Sequence, residues 1–179
     1  MSRLLLDTSA YSAIRRGDER LRAPVREAEE ICLSPIVLGE LRAGFLKGDR
    51  PAENEALLQD FLASPRCHVP AIDEETAHRY GAIHGYLRRM GTPVSSNDLW
   101  IAASAAQHGL RVVTLDGDFD RIPQVLVTKL EPLGDAPVTA KRRRRLLRRV
   151  AQGEADVREG RTVAQEQVFK SLRARLVRK

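Results

Sequence analysis

Four acidic residues, Asp7, Glu40, Asp98 and Asp116, stand where apolar runs give way to turns or helix starts. Asp7 ends RLLLD (3–7), and Asp116 ends RVVTLD (111–116). Asp98 opens a helix expected over NDLWIAASAAQHG (97–109), where the positive end of the helix dipole favours an ionised carboxylate. Glu40 lies about a turn and a half into the helix expected to start at Pro35. If the four converge, they raise one another's pKa and are costly to assemble. A divalent cation removes that cost. Mg²⁺, with Mn²⁺ as its substitute, takes hard oxygen ligands and keeps several waters. Such an ion polarises a phosphodiester and activates water for in-line attack. No single acid is specific. Asp98 suits any helix start, Asp7 any turn after a strand, Glu40 a solvated helix face, and the loop DGDFD (116–120) ordinary turn chemistry. The ordered set carries the information.

The elements that must position these acids alternate along the chain. RLLLD, ICLS (31–34), CHVP (67–70), RVVTLD and VLVTKL (125–130) read as short buried strands. Helices are expected over 9–16, 18–30, 35–46, 51–64, 73–90 and 96–109. Ser34-Pro35 supplies an N-cap and a proline at the first helical position, and Asp73 caps the fifth helix. Ser96 is the expected cap of the helix carrying Asp98, and Gly109 ends it. Short apolar strands alternating with helices predict a three-layer α/β/α domain around a mainly parallel sheet. Open sheets of this kind bind ligands at the carboxyl ends of their strands, where Asp7 and Asp116 fall. No histidine has metal-site spacing: His78 and His84 are six residues apart and do not share a helix face.

The net charge of +6 conceals a division. Residues 135–179 hold 14 Lys/Arg against 5 Asp/Glu, whereas the rest of the chain holds 16 against 19. The chain therefore divides into a mildly acidic body (1–133), a linker GDAPVTA (134–140) and a basic helical tail (141–179), rather than forming one uniformly basic nucleic-acid binder. No apolar run approaches a membrane span, so no membrane partner is expected. Cys32 and Cys67 lack CxxC spacing and read as free thiols in a reducing cytoplasm.

Four motifs in order resemble the PIN domain, and more narrowly the VapC-type toxin nuclease of toxin–antitoxin pairs. LLLDTSAYSA resembles the family's strand-Asp-Thr/Ser opening, and SPIVLGELRAG its second motif, with Glu40 at the acid position. SSNDLWIAASAAQHG resembles its third motif, and VVTLDGDFDRI its closing motif, with Thr114, Asp116 and Phe119. The likeness covers about residues 1–133. It implies a metal-dependent endoribonuclease toxin cutting single-stranded or looped RNA, with Asp7, Glu40, Asp98 and Asp116 holding Mg²⁺. Thr8, Ser9 and Asn97 would assist by hydrogen bonds, and Thr114 would position the last acid. The motif's spacing favours Asp116 over Asp118, and whether Asp118 joins the ion stays open. A homodimer and an antitoxin partner are expected from the same resemblance.

The tail is foreign to that family. VAQGEADVREGRTVAQEQVFKSLRARL resembles the C-terminal segment of small antitoxins. KRRRRLLRR (141–149) then has three readings: a solvated charged helix, an arm neutralising RNA phosphates, or the entry to an antitoxin-like segment acting on the acidic body in cis or in trans. Arginine suits the third, because its guanidinium pairs carboxylates bidentately. The contrasting reading of the whole chain is a non-catalytic interaction module whose acids are structural and whose tail docks a partner or nucleic acid.

Overall fold

A computed structural model describes residues 2–130; the expected linker and tail lie outside the described residues. Five strands, β1 (Arg3–Leu6), β2 (Glu30–Cys32), β3 (Cys67–His68), β4 (Arg111–Thr114) and β5 (Leu126–Lys129), form one sheet in the order β3-β2-β1-β4-β5. Every pairing is parallel, so the mainly parallel sheet of the sequence reading is wholly parallel among the described residues. Leu4, Leu5 and Leu6 are all buried, as are Val112, Val113 and Thr114. Continuous rather than alternating burial is what a central parallel strand covered on both faces requires.

Six helices connect the strands: α1 (Thr8–Arg15), α2 (Glu19–Glu27), α3 (Pro35–Lys47), α4 (Pro51–Leu62), α5 (Glu74–Met90) and α6 (Ser96–His108). From β1 the chain steps one way to β2 and β3, then crosses back to β4 and β5 on the other side. Right-handed crossovers therefore set α1–α4 on one face and α5–α6 on the other. Strand order reverses between β1 and β4, which is the switch point where such sheets open a crevice at their carboxyl ends. α6 packs on α5 and β4. Its Leu99, Ile101, Ala102, Ala103 and Ala105 are buried, and the small residues let it lie close to its neighbours.

Several element ends differ from the sequence reading by one or two residues, β2 for example spanning 30–32 rather than 31–34, and three differences have a clear physical cause. The second helix stops at Glu27 rather than 30, because Ala28 turns extended and Arg66 donates to the carbonyls of Val25, Arg26 and Ala28. β3 is two residues long rather than four, since Pro70 has no N–H to give a ladder. The cap of α6 is Ser95, not Ser96: its backbone is extended and its hydroxyl accepts from the Asp98 amide at 3.1 Å. Either serine suits a cap by type, and the structure fixes the register one residue earlier.

Candidate active site

Asp7 follows β1 directly and is the N-cap of α1, its Oδ1 accepting from the Ala10 amide at 2.7 Å. One residue thus ends a strand and starts a helix, which leaves its carboxylate little freedom. It is 5% exposed. The Thr114 hydroxyl donates to Asp7 Oδ2 at 2.6 Å and accepts from the Asp116 amide at 2.8 Å. That single hydroxyl ties the end of β1 to the loop after β4. The Ser9 hydroxyl faces both Asp7 oxygens, at 2.8 and 3.0 Å, and accepts from the Leu115 amide at 2.8 Å. Burial pushes the Asp7 pKa up; the bonds from Thr114, Ala10 and Ser9 oppose this, and nearby Asp116 adds to it.

Glu40 is held at both oxygens. The Thr8 hydroxyl donates to Oε2, and Asn97 Nδ2 donates to Oε1 at 2.6 Å. Thr8 follows Asp7 and Asn97 precedes Asp98, so this network joins α1, α3 and α6 around the same point. The Ser95 hydroxyl reaches Asp98 Oδ2 at 2.6 Å. Burial raises the Asp98 pKa; Ser95 opposes, while Asp116, Asp118 and Glu40 push it further up. Each acid's field therefore reaches at least one other.

The loop after β4 separates its three aspartates. Asp116 caps a 3₁₀ turn (Gly117–Arg121) by accepting from the Asp118 amide at 2.9 Å. Asp118 pairs with Arg121 at 3.2 Å, and Asp120 pairs with Lys129. Among the described residues no ion pair engages Asp7, Glu40, Asp98 or Asp116. As the side chains stand, no three His, Cys, Asp or Glu among the described residues are grouped to hold one ion, each carboxylate being oriented by its own donors. The donor chemistry nonetheless fits a hard divalent cation: four carboxylates with no Lys or Arg among the described residues paired to them.

The PIN domain family model matches residues 4–125. The chain belongs to the PIN-domain family. The match runs from β1 through β4, stops just before β5, and includes every acid above. Among similar proteins, Ribonuclease VapC4 of Mycobacterium tuberculosis is 32% identical over 125 residues, covering 70% of this chain and 95% of that protein. The tRNA(fMet)-specific endonuclease VapC of Salmonella typhimurium is 34% identical over 130 residues, covering 71% and 97%. The crystal structure of DNA-bound VapBC from Salmonella typhimurium superposes with a TM-score of 0.63 at 32% identity, covering 72% of this chain and 98% of that chain. The PIN domain's relatives are thus ribonucleases of toxin–antitoxin systems, and this chain is of their VapC type.

Within this PIN domain, Asp7 directly follows β1, Asp98 stands in the first turn of α6 and Glu40 lies inside α3, as expected, whereas β4 ends at Thr114, two residues before Asp116. Thr8, Ser9, Asn97 and Thr114 each bond to an acid or to an amide beside one. Ser95 was missed. Its signal was the Ser-x-x-Asp spacing to Asp98, which Ser96 obscured. Among the described residues no helix is long and apolar enough to cross a membrane.

Proposed function

We propose that the chain is a divalent-metal-dependent endoribonuclease toxin that hydrolyses RNA phosphodiester bonds. The observation carrying this is that Asp7, Glu40, Asp98 and Asp116, on elements that meet near the carboxyl ends of β1 and β4, pair with no Lys or Arg among the described residues. Asp7, Asp98 and Asp116 would hold Mg²⁺ or Mn²⁺, with Glu40 completing the set. The ion supplies Lewis acidity at the phosphate and acidifies its water. The chain's own residues fix orientation: Thr114 and Ser9 aim Asp7, Thr8 and Asn97 aim Glu40, and Ser95 aims Asp98. The names of the relatives support RNA as substrate and a toxin–antitoxin setting, with an antitoxin as protein partner. A homodimer in the cytoplasm fits the same reading.

The basic tail is assigned an inhibitory role toward the acidic body, in cis or on a neighbouring copy, from the charge division and the tail's antitoxin-like sequence pattern. Cleavage of a single-stranded RNA by the purified chain, titrated with Mg²⁺ and then with EDTA, tests the main reading. Cleavage should appear with the metal and vanish with the chelator; chelator-resistant cleavage by the same preparation refutes it. The non-catalytic alternative draws on one observation, that each of the four carboxylates accepts at least one hydrogen bond from a protein donor. It predicts RNA or protein binding without turnover at any Mg²⁺ concentration.

A further inference from the structure

The face of α5 that packs on α6 carries features that the nuclease site leaves unused. The Tyr80 ring stacks on Trp100 of α6 at 4.4 Å between centroids, with the planes 29° apart. Tyr80 also stacks with His84 at 6.0 Å and 13°. All three rings are half-buried, so the ladder keeps accessible surface. Trp100 stands one helical turn after Asn97, which bonds Glu40. The ladder therefore begins one turn along α6 from Asn97, the residue that bonds Glu40. Aromatics are scarce in the chain, at 4%, which makes this gathering informative.

Two glycines sit inside α5 beside the rings. A Cβ at Gly81 would meet nothing within 4 Å, and one at Gly85 only the end of the Arg89 side chain at 3.6 Å. Mid-helix glycine is less favourable than alanine, and no packing contact here offsets that. The backbone at Gly81 is open to a closely approaching ligand, while that at Gly85 lies beside the Arg89 guanidinium. Arg88 and Arg89, both exposed in the last turn of α5, have no ion-pair partner among the described residues. Stacked rings, an open backbone position at Gly81 and guanidinium groups without an ion-pair partner among the described residues match the chemistry of an unpaired nucleic-acid strand: base faces, a sugar–base edge and phosphates.

We infer that the Trp100–Tyr80–His84 ladder, with Gly81, Gly85, Arg88 and Arg89, binds the single-stranded stretch of RNA flanking the scissile phosphate. This rests on the nuclease reading and adds a binding strip to it. Trp100 is the sole tryptophan, so its emission reports on the strip directly. The test uses the full chain bearing Asp7→Asn in Mg²⁺, titrated with a single-stranded RNA 12-mer of randomised sequence, with anisotropy of a labelled 12-mer as an independent measure of binding. Saturable quenching of Trp100 is expected. Trp100→Leu should weaken binding about tenfold, and Trp100→Phe should restore most of it. Arg88→Gln should flatten the salt dependence by about one phosphate contact. Gly81→Ala should raise the melting temperature yet weaken binding, a pairing that a merely structural glycine does not give. Anisotropy binding with unchanged Trp100 emission, or a stabilised Gly81→Ala that binds normally, overturns the strip alone. Trp100 emission that shifts with protein concentration in the absence of RNA makes this face a copy-to-copy contact and also overturns it. Absence of RNA binding in every arm removes the nuclease reading together with the strip.

Discussion

The Thr114 hydroxyl couples two acids that are 109 residues apart by bonding the carboxylate of one and the amide of the other. Removing a neighbouring charge should expose the cost of this arrangement. Asp7 has a raised folded-state pKa, so its ionisation opposes folding, and that penalty is fully present above the raised value. As pH falls through the raised value the penalty fades, and below the ordinary carboxylate value it is gone. Asp7→Asn keeps a competent cap and should therefore melt a few degrees higher than the wild type at neutral pH, in EDTA, with the difference closing as pH falls toward 4. Thermal melts across that range check it; a difference that grows toward acid contradicts it. Ser95→Ala removes the cap of α6 and the donor to Asp98. It should cost about 1 kcal/mol and raise the Mg²⁺ concentration needed for cleavage, whereas Ser95→Thr should leave both nearly unchanged. Denaturant melts and Mg²⁺ titrations measure the two effects. At this scale the acids were legible from type and position. Ser95 was not, because two adjacent serines offer the same chemistry and only the backbone angles choose between them. Nor could the loop DGDFD be divided by sequence: Arg121 and Lys129, which claim Asp118 and Asp120, are assigned by folding.

At the scale of elements, the site depends on β1 and β4 staying in register, with Leu5 opposite Val112 and Leu6 opposite Val113. Leu5 is fully buried between the helical layers. Leu5→Ala should cost about 2–5 kcal/mol, more than any change at the exposed carboxyl-end loops, and chemical denaturation reads it directly. The strands were legible because burial on both faces writes a continuous apolar run. Their ends were less so. Pro70 truncates β3 by withholding an N–H, and Arg66 ends α2 by bonding carbonyls from a distant turn, a tertiary contact that no local pattern announces. The parallel order follows from helices separating successive strands up to β4 and from the 3₁₀ crossover between β4 and β5. Which strands become neighbours follows from handedness and packing rather than from any single segment.

At the scale of the whole molecule, the division of charge sets an acidic body against a tail with a surplus of basic residues. If the tail restrains the nuclease, a chain lacking residues 135–179 should cleave RNA faster than the full chain and be more toxic when expressed. Slower cleavage with a flatter salt dependence of RNA binding would instead make the tail an RNA arm. Relatives covered over 95% and 97% of their length by a match spanning about 70% of this chain leave the remainder without a counterpart in them, so the tail's role rests on experiment. The most direct measurement is the rate of RNA cleavage by the chain lacking residues 135–179, in Mg²⁺ and in EDTA, beside the same chain carrying Asp7→Ala. The carboxylate account predicts cleavage in Mg²⁺ only, and a fall of at least about a hundredfold with Asp7→Ala. Cleavage that persists in EDTA, or that is indifferent to Asp7→Ala, would contradict it.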